Sequence, residues 1–301
     1  MSQIISLEVG NITTTVMINN EAYTFETRIV GAEEHHMLDE KNDIFSVGGK
    51  KYVAELGNFE NNLYKYEKKN FSNIVAYALG KVAKSGNVKV ITSIPANQFN
   101  SFKDEMKNTI MANNQIAINV NGEDKNITIE ECGVLPEGYS IYKTTPKNLI
   151  TEGAKTVIVD IGGGTTELIF IDENGKFING DSISVGLLEL YGMIQTDIQV
   201  KTKKLLSIED VRKFVDDELK IIGISKEYSY NSIVNKFAGS LLNLIKGKAQ
   251  GIDQCNIIVA GGGAKILQSE IKEEFNQALF NTDVQSLCKS NMKVAEAKWK
   301  K

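Results

Sequence analysis

Two glycine turns, each preceded by an acidic residue, are the segments of this sequence best suited to chemistry. The first is Glu8-Val-Gly-Asn-Ile-Thr13, and the second, in the other half of the chain, is Asp160-Ile-Gly-Gly-Gly-Thr-Thr-Glu167. Glycine leaves backbone N–H groups uncovered, and such turns form nests for phosphate oxygens. A carboxylate is unfavourable beside bare phosphate but useful when hydrated Mg²⁺ lies between them. One such turn is more simply a tight turn, whereas two at matched positions favour phosphate and magnesium binding.

A third glycine turn, Ala260-Gly-Gly-Gly-Ala-Lys265, follows an apolar strand and precedes a predicted helix. Its bare backbone permits close approach of a base or a ribose, and it suits a simple packing turn equally well. The second turn is not a dinucleotide fingerprint. That motif requires a helix directly after the glycines, and Thr165–Ile171 has the β-branched, apolar composition of a strand.

The elements around these turns occur twice in the same order: three strands, a helix, a strand and a helix. The first copy has strands Gln3–Val9, Thr13–Ile18 and Ala22–Val30, helix Phe71–Lys84, strand Val88–Ile94 and helix Asn97–Met111. The second copy has strands Lys155–Val159, Thr165–Ile171 and Lys176–Val185, helix Ser232–Ala249, strand Cys255–Ala260 and helix Ala264–Phe280. The repeat predicts two similar α/β domains, each with a mixed sheet flanked by helices, and a cleft between them.

The predicted boundaries place the first domain at residues 1–150 and the second at 151–281, with a helix over 282–301 that packs back on the first. Two insertions interrupt the repeat. Residues 31–70 are polar and charged and form a small subdomain, and residues 187–231 form its counterpart with a helix over Ser207–Leu219. His35 and His36 are expected in an exposed loop, with a metal site as the less favoured interpretation.

Composition and charge disfavour some classes of function, including direct binding to DNA or membranes. The chain has 301 residues, a net charge of −4 and a pI near 5.5, which argues against extensive contact with DNA or anionic membrane. We expect a cytoplasmic protein, because the N-terminus does not resemble a leader and no stretch is apolar enough to span a membrane. The three cysteines are far apart in the sequence: Cys132, Cys255 and Cys288. This spacing does not favour disulfides or a zinc site, so we expect all three to be small core residues.

The three turns, in this order, resemble those of the actin, Hsp70 and sugar-kinase superfamily. Glu8–Thr15 is similar to its first phosphate loop, Asp160–Glu167 to its second, and Ala260–Lys265 to its adenosine loop. Within that superfamily the chain is most similar to bacterial actin-like plasmid-segregation proteins of the ParM type. The supporting segments are Ile91–Phe99, Val134–Gly138 and Ser184–Tyr191.

The resemblance implies an actin-like fold of duplicated domains, each a five-stranded mixed sheet, around a central nucleotide cleft. It implies a protein that polymerises with ATP or GTP and magnesium, hydrolyses the nucleotide, and moves plasmid DNA through a DNA-binding adaptor at a centromere. Asp160 would hold hydrated Mg²⁺, with Glu8 as the second carboxylate, and Glu137 would orient the attacking water. The implied nucleotide-binding residues are Gly10, Asn11, Ile12, Thr13, Gly162, Gly163, Gly164, Thr165, Thr166, Gly186, Asn235, Lys236, Gly261, Gly262, Gly263 and Lys265.

Two departures from that family pattern concern the first loop. Glu8 stands where Asp is usual, and Thr15 stands where a lysine usually reaches the phosphates. The missing charge-assisted contact is worth about 1.5–3 kcal/mol.

Other readings remain open. A small-molecule kinase of the same superfamily would need a base, and Ser93–Phe99 holds no carboxylate, although Asp104 follows. A chaperone-type or cell-division nucleotide switch would bind nucleotide without polymerising, and a glycine-rich scaffold would not bind it.

Overall fold

The computed structural model describes residues 2–34, 42–60, 62, 64–217, 219–221 and 228–300. The chain divides into two units, Met1–Leu149 with Asp283–Lys301, and Ile150–Thr282. His35 and His36, and with them the choice between an exposed loop and a metal site, lie outside the described residues.

In the described part of the first unit, nine strands form one mixed sheet in the order β3-β2-β1-β7-β9-β8-β5-β6-β4. The strands are β1 (Gln3–Val9), β2 (Thr13–Ile18), β3 (Glu21–Glu26), β4 (Ile29–Gly31), β5 (Ile44–Val47), β6 (Lys50–Ala54), β7 (Gly86–Ile94), β8 (Gln115–Val120) and β9 (Glu123–Pro136). β1 pairs antiparallel with β2 and parallel with β7, and β7 pairs parallel with β9. The carboxyl ends of β1, β7 and β9 therefore lie at one edge of the sheet.

Three helices of the first unit follow in chain order: α1 (Phe71–Val82), α2 (Phe99–Met111) and α3 (Tyr139–Thr144). A short 3-10 turn, Lys65–Glu67, precedes α1. Alternate residues of β1, such as Ile5 and Leu7, are fully buried in one apolar core with the α1 side chains Ile74 and Val75. The core thus fixes β1, whose last residues lead into the first glycine turn.

In the described part of the second unit, five strands form a sheet in the order β12-β11-β10-β13-β14. They are β10 (Thr156–Ile161), β11 (Thr166–Ile171), β12 (Phe177–Ile183), β13 (Asn256–Ala260) and β14 (Leu279–Phe280). The helices are α4 (Leu187–Thr202), α5 (Ile208–Val215), α6 (Asn231–Lys248), α7 (Gly263–Ile266) and α8 (Gln268–Glu274). The order and directions repeat those of β3-β2-β1-β7-β9, which confirms the predicted duplicated α/β architecture.

The last helix, α9 (Ser286–Trp299), belongs to the first unit and packs on β1, β2 and β7. It covers the sheet face opposite to α1, where Cys288 and Met292 contact Met17. The Ser6 hydroxyl donates a hydrogen bond to the Cys288 carbonyl at 2.8 Å. Trp299, which sequence reasoning left between packing and partner contact, packs near Gly133 of β9.

Three local predictions were wrong. A five-stranded sheet was expected in each half, but the first sheet gains strands from the polar insertion, because Phe45 of β5 and Val53 of β6 are buried and each 1 % exposed. The helix predicted over Ala264–Phe280 ends at Glu274, and the chain then forms β14. Cys255 is half-buried rather than a core residue.

The helix predicted over Ser207–Leu219 exists but ends at Val215. Its start is capped by reciprocal hydrogen bonds between Ser207 and Asp210. Within the described ranges, none of the helices has the length and apolar character needed to cross a membrane.

Candidate functional site

The two acidic glycine turns are hairpins of the same geometry. In the first, the Gly10 N–H donates to the Thr13 carbonyl at 2.9 Å, and in the second the Gly162 N–H donates to the Thr165 carbonyl at 2.9 Å. The strand register matches as well, since Glu8 lies opposite Thr15 and Asp160 lies opposite Glu167. Each carboxylate therefore precedes its turn at the equivalent position of the repeat.

In the first unit, one lysine joins two predicted site residues. The Lys65 ammonium lies 2.8 Å from Glu8 Oε1 and 2.8 Å from Glu137 Oε2. The other Glu8 oxygen accepts a hydrogen bond from the Ser93 hydroxyl. Glu8 comes from β1, Ser93 from β7, and Glu137 follows β9, so the cluster forms where these parallel strands end. One cation thus positions two carboxylates beside the first hairpin.

This Glu8–Lys65–Glu137 cluster is poorly hydrated, because its side chains are only 9–16 % exposed. Burial raises the pKa of Glu8 from 4.5 to about 7, the nearby Glu137 adds to this rise, and Lys65 counteracts it. Burial alone would lower the pKa of Lys65, but Glu137 and Glu8 outweigh burial and raise it. Lys65 therefore stays charged, and the cluster gains a negative charge as pH rises through about 7, where Glu8 loses its proton.

A second lysine, Lys68, contacts the hairpin itself. Its ammonium donates to Asn11 Oδ1 at 2.9 Å and to the Glu60 carbonyl, and the residue is only 4 % exposed. Among the described residues, no carboxylate forms an ion pair with it. Burial lowers the pKa of Lys68 to about 8, with Glu60 raising it and Lys65 lowering it further. The first hairpin thus has a buried ammonium whose direct acceptors are neutral.

This low pKa gives a pH prediction for stability. The folded-state pKa of Lys68 is about 8 against an ordinary 10.5, so the folded protein binds fewer protons than the unfolded chain between these values. Burying the charged amine therefore lowers the free energy of unfolding by its full amount at pH 7. This destabilisation decreases as pH rises and the amine loses its proton. We expect wild-type stability to gain on the order of 3 kcal/mol relative to Lys68→Met between pH 7 and pH 10. Urea unfolding at a series of pH values measures this gain, and parallel curves for the two proteins would contradict it.

In the second unit, the hairpin is held by the start of α4. The Leu187 N–H donates to the Gly162 carbonyl at 3.0 Å, and the Leu188 N–H donates to the Gly163 carbonyl at 2.8 Å. Gly186 lies so close that a Cβ there would be 2.5 Å from the Gly163 carbonyl oxygen. Helix and hairpin are therefore fixed together, with the N-terminal end of the helix dipole at the turn.

The third turn packs directly against Asp160, which is 7 % exposed. Gly261 has φ +79°, and a Cβ there would lie 2.3 Å from Asp160 Oδ1. A Cβ on Gly263 would lie 2.3 Å from Ile161 Cγ2. Close packing accounts for glycine at these two positions, and contact of the turn with a base or ribose stays a prediction.

Both halves of the chain match family models. Residues 6–139 match the model described as actin like proteins N terminal domain, and residues 158–273 match that described as archaeal actin homologue MreB-like, C-terminal. The chain belongs to the actin-like proteins. Among curated proteins none matches the chain.

Solved actin-like structures share the fold of this actin-like protein over nearly its whole length. The archaeal actin homologue Ta0583 in complex with ADP has a TM-score of 0.83 at 14 % identity, covering 98 % of this chain and 99 % of that one. A 15-stranded ParM filament from Clostridium botulinum has a TM-score of 0.80 at 15 % identity, with coverage of 98 % and 99 %. An Alp12 filament has a TM-score of 0.70 at 16 % identity, with coverage of 99 % and 99 %.

The remaining predicted site residues of this actin-like protein fall into two groups. Asn11, Ile12 and the glycines of both hairpins lie in the turns as expected, and Glu137 lies beside the first hairpin. Asn235 and Lys236 lie on the exposed part of α6, and Lys265 is exposed on α7. The structure joins none of these three to a hairpin through a described hydrogen bond or ion pair, and their roles stay predictions.

Sequence reasoning missed Lys65 and Lys68. Both belong to Lys65-Tyr-Glu-Lys-Lys69, a charged run in a polar insertion that has the pattern of a solvated surface. Only their burial, at 7 % and 4 % exposure, distinguishes them from the exposed Lys69. Ser93 had been noted only as part of a segment typical of the family.

The contact between Gly261 and Asp160 gives a stability prediction. Gly261→Ala combines a left-handed backbone, costing about 1–2 kcal/mol, with overpacking against Asp160, costing about 1–3 kcal/mol. Gly251→Ala is the matched control, because Gly251 has φ +76° and open space around its Cβ position. We expect Gly261→Ala to be the more destabilising in urea unfolding. Equal losses in the two variants would show that the turn does not press on Asp160.

Proposed function

We propose that this actin-like protein binds ATP or GTP with magnesium, hydrolyses it, and forms nucleotide-dependent filaments that segregate plasmid DNA. The observation that carries the proposal is the pair of matched hairpins, each with a carboxylate two residues before its first glycine. Backbone nests with an adjacent carboxylate suit a phosphate chain bound together with hydrated Mg²⁺.

The described side chains fit a polyanionic ligand. Lys68 is a buried ammonium beside the first hairpin, and the second hairpin lies at the N-terminus of α4, where negative charge is favoured. Among the described residues, no three His, Cys, Asp or Glu side chains are grouped closely enough to hold a metal ion. We propose that Asp160 and Glu8 are the carboxylates that meet hydrated magnesium through water.

Glu137 is the proposed residue that orients the attacking water and accepts its proton. Phosphoryl transfer asks mainly for positioning and charge compensation, and magnesium, when bound, would neutralise phosphate charge. Lys65 holds the Glu137 carboxylate in place at 2.8 Å. The Glu137 backbone is fixed as well, because its N–H donates to the Ile94 carbonyl at 2.8 Å and the following Gly138 is the N-cap of α3.

Self-association is supported by the relatives rather than by a feature of this chain. Two of the similar structures are described as filaments, of ParM and of Alp12. A head-to-tail contact that does not close into a ring generates such a polymer. The net charge of −4 makes this chain a poor direct ligand for DNA, so we propose a DNA-binding adaptor at a plasmid centromere as its second partner.

The test is to follow light scattering and phosphate release together, with ATP and with GTP, in magnesium and in EDTA. We expect both signals with at least one nucleotide, and only in magnesium. Phosphate release without scattering at any protein concentration would contradict filament formation and favour a non-polymerising nucleotide switch. Transfer of the phosphoryl group to an added small molecule, instead of release of phosphate by hydrolysis, would favour a kinase. Absence of nucleotide binding would contradict the whole proposal.

A further inference from the structure

The position of Lys68 is unusual for a lysine that only supports the fold. Its ammonium is buried, and its acceptors are a side-chain amide oxygen and a backbone carbonyl. Lys65, three residues earlier and similarly buried, is instead paired with two carboxylates. Lys65 begins the 3-10 turn and Lys68 is its C-cap. The two lysines therefore differ in the groups that their ammonium ions contact.

A buried ammonium that forms no ion pair with a described residue is costly, because hydrogen bonds to neutral groups and the charge of Glu60 offset its desolvation only in part. The lowered pKa of Lys68 reflects the same cost. Lysines are rarely fully buried unless paired. An ammonium that is held against a glycine hairpin, and whose described acceptors are neutral, is therefore suited to binding an anion there.

The hairpin has no cation of its own. Thr15, at the position where the related loops carry lysine, is 6 % exposed, and its hydroxyl lies 3.0 Å from that of Thr24 on the neighbouring strand. Asn11, which Lys68 contacts, lies within the turn itself. The 3-10 turn thus places a positive charge beside the same hairpin that lacks one in its own sequence.

We propose that Lys68 is the phosphate-binding cation of the first hairpin and takes the part that a lysine at position 15 would play. Its ligand is the phosphate chain of a nucleoside triphosphate or diphosphate. This proposal deepens the proposed function and rests on it, since the anion is the phosphate of the nucleotide that the hairpins bind.

The test compares Lys68→Met with Lys69→Met, an adjacent exposed lysine in the same charged run. Affinity for ATP and GTP with magnesium is measured by calorimetry, and unfolding of each variant is measured without nucleotide. Loss of a charge-assisted phosphate contact should weaken nucleotide binding by about tenfold to a hundredfold in Lys68→Met. Its unfolding temperature without nucleotide should be no lower than that of Lys69→Met, because a buried charge that forms no ion pair with a described residue has been removed.

The other outcomes separate the two proposals. Nucleotide binding in Lys68→Met within tenfold of Lys69→Met would overturn the role of Lys68 and leave the proposed function standing. A Lys68→Met protein that is unfolded, or clearly less stable than Lys69→Met, would overturn it too, because the lysine would then support the fold. Failure of the wild-type protein to bind either nucleotide would overturn the proposed function and the role of Lys68 together.

Discussion

Replacing Lys65 by methionine should lower the free energy of unfolding of the first unit by about 3–5 kcal/mol. Removing one partner of a buried ion pair costs this much, because the remaining charge is left without compensation. Here two carboxylates, Glu8 and Glu137, would be left facing each other with 12 % and 16 % of their side chains exposed. The single tryptophan, Trp299, lies in the first unit, so its fluorescence during urea unfolding reports on that unit.

The control for Lys65→Met is Lys69→Met, which removes an exposed lysine and should cost less than about 0.5 kcal/mol. The double variant Lys65→Met with Glu8→Gln should recover part of the loss, about 0.5–3 kcal/mol, since one of the two facing charges is gone. If Lys65→Met were no more destabilising than Lys69→Met, the lysine would not be the link between the two carboxylates.

The hairpins could be predicted from sequence because local rules determine them. β1 and β2 have the predicted bounds, Gln3–Val9 and Thr13–Ile18, since alternation of apolar residues and a glycine turn suffice to define a strand pair. The repeat then predicted the second hairpin and the parallel partners β7 and β13. The sheet extension was missed because β5 and β6 are short strands in a polar segment, where the deeply buried side chains are Phe45, Val53 and Ala54.

Sequence reasoning named acidic residues beside the hairpins and missed the buried lysines. Glu8, Glu137 and Asp160 stand next to glycine turns or a proline, which marks them in the sequence. Lys65 and Lys68 stand in a charged run, and a lysine there is as a rule solvated. Their burial depends on where the 3-10 turn packs, which is a tertiary property without a local pattern. Sequence reasoning therefore registered a lost cation at Thr15 and not the two that the fold brings to the hairpin.

Replacing Glu137 by glutamine should slow nucleotide hydrolysis by about 10²- to 10⁴-fold, the range for loss of a positioned general base. Glutamine keeps the size of the side chain but cannot accept the proton of the attacking water. Lys65 keeps Glu8 as a partner in this variant, and the Glu137 charge that raises the pKa of Glu8 is removed, so the fold should not be weakened. Nucleotide affinity should change less than tenfold. If filaments form, they should persist longer, because the triphosphate state that supports them is turned over slowly.

The matched control for Glu137→Gln is Glu130→Gln, an exposed carboxylate on the same strand, β9. Single-turnover phosphate release separates hydrolysis from binding, and tryptophan fluorescence verifies folding. Wild-type turnover in Glu137→Gln would place the catalytic group elsewhere. Weaker affinity with an unchanged rate at saturating nucleotide would assign Glu137 to nucleotide binding instead. A selective loss of rate with affinity retained is the result that only a group acting on the transition state predicts, since loss of uniform binding would weaken affinity and leave the rate at saturating nucleotide unchanged.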